Sequence, residues 1–546
     1  MKNKISWNIA VFLFSVIFVY GLANFSYFES YEALYPTFFS GSITEGLPVN
    51  VWYFVSHFLL AEIYLKFYGK TSDIPWYEII LFFYVAVSLF TILIILLKQN
   101  QASIVRKIIL TFLSLLLITE FILVFQYTRV AFALGIASTL ALYVGGKNSK
   151  IIRWLSCVLF VFCLLTRTEV GVFVFLIQLL GILLIVNHSY AKTVLIFNST
   201  VFVLVMGYIT YDRLTTNDFL KQFEPELGYQ LLDRGNIIPL SSMTNAVDSA
   251  KYIAVVNLIT DQEFTTIDFL TSLVHENAYI GMSKKLLLRS IEILLKNINH
   301  SSGLFIIYIT LLIFLIKQSI VLKNKKAFKV LLFNTLIWMV IIITIYIIKM
   351  EVWVFSSLLV MMCFILIFMI DYETTRQPFL IIILSGALIL IGTFIYYQKQ
   401  HIYIEGLANK LQANVKFTNE LKKRYRGKIL VPGLDQNQMI LYSLKPFQMH
   451  DFSAFSQLYL FDADVVYIED HYNSYLRNEC KCNAKSHTDF MDFLDSKKDS
   501  VRIVSTHERI EVIKYYCKVV RNKNYNIIPI DSLSIDGNKA TVFTFK

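Results

Sequence analysis

The sequence predicts a polytopic α-helical membrane protein of about eleven transmembrane helices, with juxtamembrane helices and a C-terminal soluble α/β domain. Three observations carry that prediction. Hydrophobic residues make up 56% of the 546 residues and charged ones only 16%, with a mean hydropathy of +0.58, whereas about a quarter of a soluble chain is charged. The apolar residues come in blocks of about 20, the length that crosses a bilayer. Lys and Arg gather in the short loops between alternate blocks, as expected of loops that stay on the cytoplasmic side. The same clustering explains the net charge of +11 without a nucleic-acid partner, which would need the basic residues along one face of a soluble fold.

The first span covers about 5–24. Read instead as a cleaved signal peptide ending at Gly21-Leu22-Ala23, this run is too long for an ordinary apolar core of such a signal. The outer loop 25–76 follows and contains the amphipathic stretch 51–68, where His57, Glu62 and Lys66 argue for a helix lying in the interface rather than across the bilayer. Further spans are expected at about 77–97, 108–126, 130–146, 152–166, 170–187 and 193–212, and then at about 304–322, 330–348, 353–370 and 378–398. This arrangement puts the loops with Lys98/Arg106/Lys107, Lys147/Lys150/Arg153 and Lys323/Lys325/Lys326/Lys329 inside and leaves single basic residues in the short outer turns. The N-terminus is then cytoplasmic and the C-terminus extracytoplasmic.

Two hydrophilic regions fall on the outer face. The loop 212–303 is too long for a simple connection, and its end, Ser283 to His300, separates Leu and Ile from Lys and Arg as a second interfacial helix would. Residues 1–398 thus form the transmembrane domain and 399–546 an extracytoplasmic α/β domain. In the latter, strand-like runs (428–432, 464–468, 501–505) alternate with helix-like ones (489–496, 507–519), and Asp536-Gly537 closes a hairpin. Cys157, Cys163 and Cys363 lie in apolar spans, where packing is the default role. Cys480, Cys482 and Cys517 are an odd set and define no disulfide framework.

Ionisable residues at the outward span ends are few, and charges at such depth are costly unless they pair or line a wet cavity. They are Glu29 and Glu32 after the first span, Tyr127-Thr128-Arg129, Thr166-Arg167-Thr168-Glu169 and Lys349-Met350-Glu351. Glu120 sits deeper, where a buried pair with a neighbouring cation competes with a chemical role. Any one of these side chains alone can simply snorkel to the headgroups. Their recurrence in successive outer turns fits an anionic group held there, such as a lipid phosphate gripped by Arg. A surface carboxylate beside it can serve as base for an acceptor hydroxyl, although Glu29 and Glu32 also read as an exposed pair three residues apart.

In layout the chain resembles the GT-C superfamily of integral membrane glycosyltransferases, which use polyprenyl-phosphate-linked sugars. The resemblance rests on the acidic, aromatic start of the first outer loop (Phe28-Glu29-Ser30-Tyr31-Glu32-Ala33-Leu34-Tyr35), on Thr44-Glu45-Gly46-Leu47-Pro48, on the interfacial helix Trp52 to Tyr68, and on Leu164-Leu165-Thr166-Arg167-Thr168-Glu169-Val170, similar to the Arg-Pro-Glu turns of bacterial members. It implies Glu29 or Glu32 as the catalytic base or acceptor-orienting group. His57, Tyr127, Arg129, Arg167, Glu169, Lys349 and Glu351 become candidate substrate-binding residues. It also implies a polyprenyl-phosphate-sugar donor, a glycan, lipid or protein acceptor, and a bacterial cytoplasmic membrane. A divalent metal is used by some relatives, but the sequence offers no compact His/Asp cluster for one. The chain departs from the pattern in its Glu-x-x-Glu spacing and in Thr168 where the family has Pro. Other readings are a surface-polysaccharide polymerase, which Gln126-Tyr127-Thr128-Arg129-Val130-Ala131 resembles at its helix start, a non-catalytic scaffold, and a lipid-linked glycan transporter. The transporter reading lacks the repeats and broken helices that such folds use.

Overall fold

The structure is a computed structural model describing residues 2–28, 60, 63, 66–67, 70–71, 74–98, 104–145, 150–186, 189–215, 238–257, 269, 272–273, 284–320, 323–347, 350–369, 379–433 and 487–546. Its membrane-type part comprises helices α1 (Lys2–Ala23), α2 (Trp76–Leu97), α3 (Ile104–Ile118), α4 (Tyr127–Leu140), α5 (Lys150–Thr166), α6 (Thr168–Leu184) and α7 (Ser189–Thr215). After α8 (Ala246–Val256) come α9 (Lys284–His300), α10 (Ser302–Ile320), α11 (Lys325–Ile347), α12 (Val352–Met369) and α13 (Phe379–Arg424). Every residue of α4 is buried, because α2, α5, α6 and α12 pack around it.

A helix lies at each expected span, yet among the described residues six are long and apolar enough to cross a membrane: Trp76–Leu97, Tyr127–Val144, Tyr190–Tyr208, Ser302–Ile320, Lys325–Tyr346 and Val352–Met369. Length is one reason for the smaller number. The 15 residues of α3 and the 17 of α6 extend only about 22–26 Å, short of a hydrocarbon core about 30 Å thick. The span expected through 126 ends early: α3 gives way to a single 3-10 turn, Thr119–Phe121, and then to a two-residue strand β2 (Val124–Phe125). β2 pairs in parallel with β1 (Tyr27–Phe28), Tyr27 opposite Val124 and Phe28 opposite Phe125. The ladder ties the end of α1 to the start of α4, so the chain must leave the helix to make it.

α13 is the longest element, 46 residues or about 70 Å of helix. It runs past residue 399 without a break, so the polar unit is joined to the bundle by a continuous rod. Its apolar half lies against α10 at a close crossing. A Cβ on Gly303 would meet Tyr396 N at 2.3 Å and Gly392 O at 2.5 Å, so only glycine lets the two backbones approach this closely. Its C-terminal half covers one face of a four-stranded sheet.

That sheet has the order β3-β4-β6-β5, from β3 (Ile429–Pro432), β4 (Val501–Ser505), β5 (Ile527–Ile535) and β6 (Asn538–Phe545). β3 and β4 are parallel, and the other neighbours antiparallel. The expected hairpin is present: Asp536 and Gly537 turn between β5 and β6 with φ of 46° and 89°, the left-handed conformation that a two-residue turn needs. Alternation along the strands divides the core. Leu430, Val504, Leu533, Ala540 and Val542 face Phe417 and Leu421 of α13. Val431, Ile503, Phe543 and Phe545 face Met491 and Leu494 of α14 (His487–Ser496) and Ile510 and Ile513 of α15 (His507–Arg521). Ala254 and Val255 of α8 join the second face, and Arg509 donates to Asn257 O at 2.9 Å. Part of the loop 212–303 is therefore built into the polar unit. The strand-like run 464–468 and most of the stretch 51–68 lie outside the described residues.

Candidate functional site

The alternation of the chain through the bundle brings one set of helix ends together: the ends of α1, α3, α5, α9 and α11 with the starts of α4, α6, α10 and α12, and the middle of α13. The β1–β2 ladder, an Asn297 Nδ2 bond to Met350 O at 3.1 Å, and the side-chain bonds described below fix these ends to one another.

At the centre lies Glu120, carried on the 3-10 turn after α3. Its Oε1 accepts from Arg129 Nη1, and its Oε2 accepts from Tyr396 Oη at 2.8 Å and Gln400 Nε2 at 2.5 Å. Arg129 also donates to Glu120 O at 3.2 Å and reaches Ser356 Oγ of α12 at 3.5 Å. The pair is 1% and 2% exposed. A charge buried so deeply persists only if it is paired and hydrogen-bonded, and Glu120 meets both conditions with groups from α4 and α13. This is the buried pairing that the sequence offered as one role for Glu120. It places Arg129 inside the bundle, in the first turn of a helix capped by Gln126, whose side chain accepts from Thr128 N at 2.6 Å.

Two residues earlier, Tyr127 belongs to a second, more open group. Arg167 is the single extended residue between α5 and α6, which lets the chain reverse into α6 at once. Its Nη1 donates to Tyr127 Oη at 2.8 Å, its guanidinium lies 5.2 Å from the Tyr127 ring centre, and its Nε bonds Glu169 Oε2 at 2.8 Å. Arg167 keeps 30% of its side chain exposed and Glu169 72%, so this cation faces outward. Glu351 starts α12 with its backbone carbonyl, accepting from Val354 N and Phe355 N. Tyr127, Arg129, Arg167, Glu169 and Glu351 therefore share one end of the bundle. Glu29, Glu32, His57 and Lys349 lie outside the described residues.

Beside Glu120 opens a small cleft lined by His300, Ser301, Gly303, Leu304, Tyr396, Lys399, Gln400 and Tyr403. Its free volume of about 10 Å³ is room for one water-sized group. Lys399 Nζ is held by Asn299, through its carbonyl and, at 3.2 Å, its Oδ1. The His300 and Tyr403 rings meet edge to face, with centres 5.3 Å apart. Burial pushes the His300 imidazole below its ordinary value, the charge of Glu120 opposes this, and those of Arg129 and Lys399 reinforce it. Sequence reasoning did not single out Tyr396, Lys399 or Gln400. At the end of an apolar run, Tyr-Tyr-Gln-Lys-Gln reads as an ordinary interface anchor, and only the contact with a turn 276 residues away gives it another meaning.

Among the described residues, no three His, Cys, Asp or Glu side chains stand together as metal ligands. Compared with known proteins, the chain matches no family model, and no curated protein or solved structure is significantly similar to it.

Proposed function

We propose that the protein is a membrane glycosyltransferase, moving a sugar from a polyprenyl-phosphate donor to an acceptor at the outer face of a bacterial cytoplasmic membrane, with its N-terminus cytoplasmic. The observation that supports this is the gathering of Glu120, Arg129, Tyr127, Arg167 and Glu169 at one end of an otherwise apolar bundle. There a lipid-borne phosphate stays at headgroup level while its sugar reaches a polar site.

In this reading the acceptor hydroxyl attacks the anomeric carbon, the bond from that carbon to the phosphate oxygen breaks, and the phosphate leaves with the electron pair, inverting the centre. Glu29 or Glu32 takes the hydroxyl proton. Arg167, already outward-facing, and Lys349 hold the phosphate as its charge grows. Arg129 acts one layer deeper, keeping Glu120 and the start of α4 in place.

The test is transfer of a radiolabelled sugar from its polyprenyl phosphate in membranes containing the full chain, together with the composition of the cell-surface glycan. Glu29→Gln or Glu32→Gln should abolish transfer while the protein stays in the membrane. Undiminished transfer in both variants sinks the role of the first loop, and undiminished glycan in cells lacking the chain sinks the reading as a whole.

A further inference from the structure

We propose that the cleft between α9, α10 and α13 is a carbohydrate subsite, in which one sugar hydroxyl donates to Gln400 Oε1 and accepts from Ser301 Oγ. Both atoms are buried and without a hydrogen-bond partner, a costly state that calls for a hydrogen-bonding group in the cleft. Ser301 precedes α10, where a serine ordinarily caps the helix with its side chain. Here its carbonyl accepts from Phe305 N at 2.9 Å, and its hydroxyl is left for the cleft.

The chemistry of the missing group follows from its surroundings. The orientation of the Gln400 amide is dictated by Glu120: an ionised carboxylate only accepts, so Nε2 must face it, and Oε1 is turned away from it. Whatever meets Oε1 must therefore donate. A phosphate oxygen does not donate at neutral pH. An ammonium group donates, but Glu120 is already neutralised by Arg129, and Lys399 adds a positive charge that repels it. A neutral O–H group remains, of water or of a ligand, and either can both donate to Gln400 and accept from Ser301; the glycoside titration below separates the two. The free space of about 10 Å³ fits one such group at the inner end. The wall beside it is apolar and aromatic, Leu304 with the His300 and Tyr403 rings, the surface on which the C–H face of a sugar ring packs.

The proposal rests on the transferase reading for the origin of the sugar, but its test does not depend on turnover. The full chain is placed in phosphatidylcholine nanodiscs, and binding of the methyl glycosides of glucose, galactose, mannose and N-acetylglucosamine is followed by saturation-transfer NMR, with glycerol and inorganic phosphate as competitors. At least one glycoside should bind saturably, and Ser301→Ala should weaken it about threefold to tenfold, the worth of one neutral hydrogen bond. Gln400→Met should weaken it as much. Ser301→Ala touches none of the bonds to Glu120, so it keeps the test open if Gln400→Met fails to fold. Unchanged binding in Ser301→Ala, saturable binding of none of the four glycosides, or equal binding of glycerol or phosphate each overturns the proposal. Glycoside binding without any transfer would keep the subsite and remove the transferase reading, while transfer with binding indifferent to both substitutions would do the reverse.

Discussion

Removing the Glu120 carboxylate should unfold more of the protein than removing the cation it pairs with, and the two effects should be far from additive. In Glu120→Leu, Arg129 keeps a positive charge that is 1% exposed, and the Tyr396 hydroxyl and Gln400 amide lose their acceptor. A stranded buried charge costs about 3–5 kcal/mol, and each buried donor left without a partner adds about 1 kcal/mol or more. In Arg129→Met the carboxylate keeps its two donors from α13, so the loss should sit near the lower end, about 3 kcal/mol. The double variant buries no charge at all. It should cost less than the sum of the two by about 3 kcal/mol or more, because the penalty common to both singles has gone. Titration of the purified protein with SDS in mixed micelles, followed by tryptophan fluorescence, measures all three. Additive losses, or an Arg129→Met variant as damaged as Glu120→Leu, would refute the arrangement of donors around Glu120.

Three further outcomes follow from the same geometry. In Gly303→Ala the added carbon meets backbone atoms that cannot rotate away, so α10 and α13 must separate at a cost of about 1–3 kcal/mol; Gly392→Ala, whose nearest contacts are at 3.0–3.1 Å, should lose less in the same titration. Because His300 is held below its ordinary value of 6.5 by burial, the unfolded chain takes up its proton first. Stability should then be full above pH 6.5, decline as pH falls from there through the depressed value, and decline less steeply in His300→Gln. Arg167→Ala breaks an ion pair whose carboxylate is 72% exposed and also the hydrogen bond and ring contact to buried Tyr127, so stability should fall by about 1–2 kcal/mol, while on the proposed function sugar transfer falls tenfold or more.

What the sequence disclosed and what it withheld divide along physical lines. Apolar blocks and the distribution of Lys and Arg are local signals, and a helix stands at every block they mark. The hairpin at Asp536-Gly537 was readable because the turn needs left-handed residues at those two positions. Helix ends were harder to read. Apolarity continues through Phe121, Ile122 and Leu123, so periodicity carries α3 on to 126, whereas pairing of β1 with β2 and the pull of Arg129 on Glu120 stop it at Ile118. The site was half legible. Charges at depth pointed to Glu120 and Arg129, but their partners on α13 carry ordinary interface chemistry and acquire meaning only through a long-range contact. Joining α8 to the sheet is likewise invisible to a reading of one segment at a time, because the apolar face of α8 looks the same whichever surface covers it.

Glu120 is poorly placed to take a proton in transfer chemistry. One oxygen of Glu120 faces Arg129 and the other faces Tyr396 and Gln400, so an acceptor hydroxyl could reach it only by displacing one of them and stranding a buried donor. A group in that position orients its neighbours: it fixes the Gln400 amide, and with it the acceptor atom turned away from the carboxylate. It also ties α13, the rod that carries the polar unit, to the turn before α4. A proton acceptor for transfer chemistry has the opposite requirement, because it must be open to the incoming hydroxyl and free to release its proton to water. The two roles therefore call for separate carboxylates: Glu120 orients its neighbours, and on the proposed function the proton falls to Glu29 or Glu32 instead.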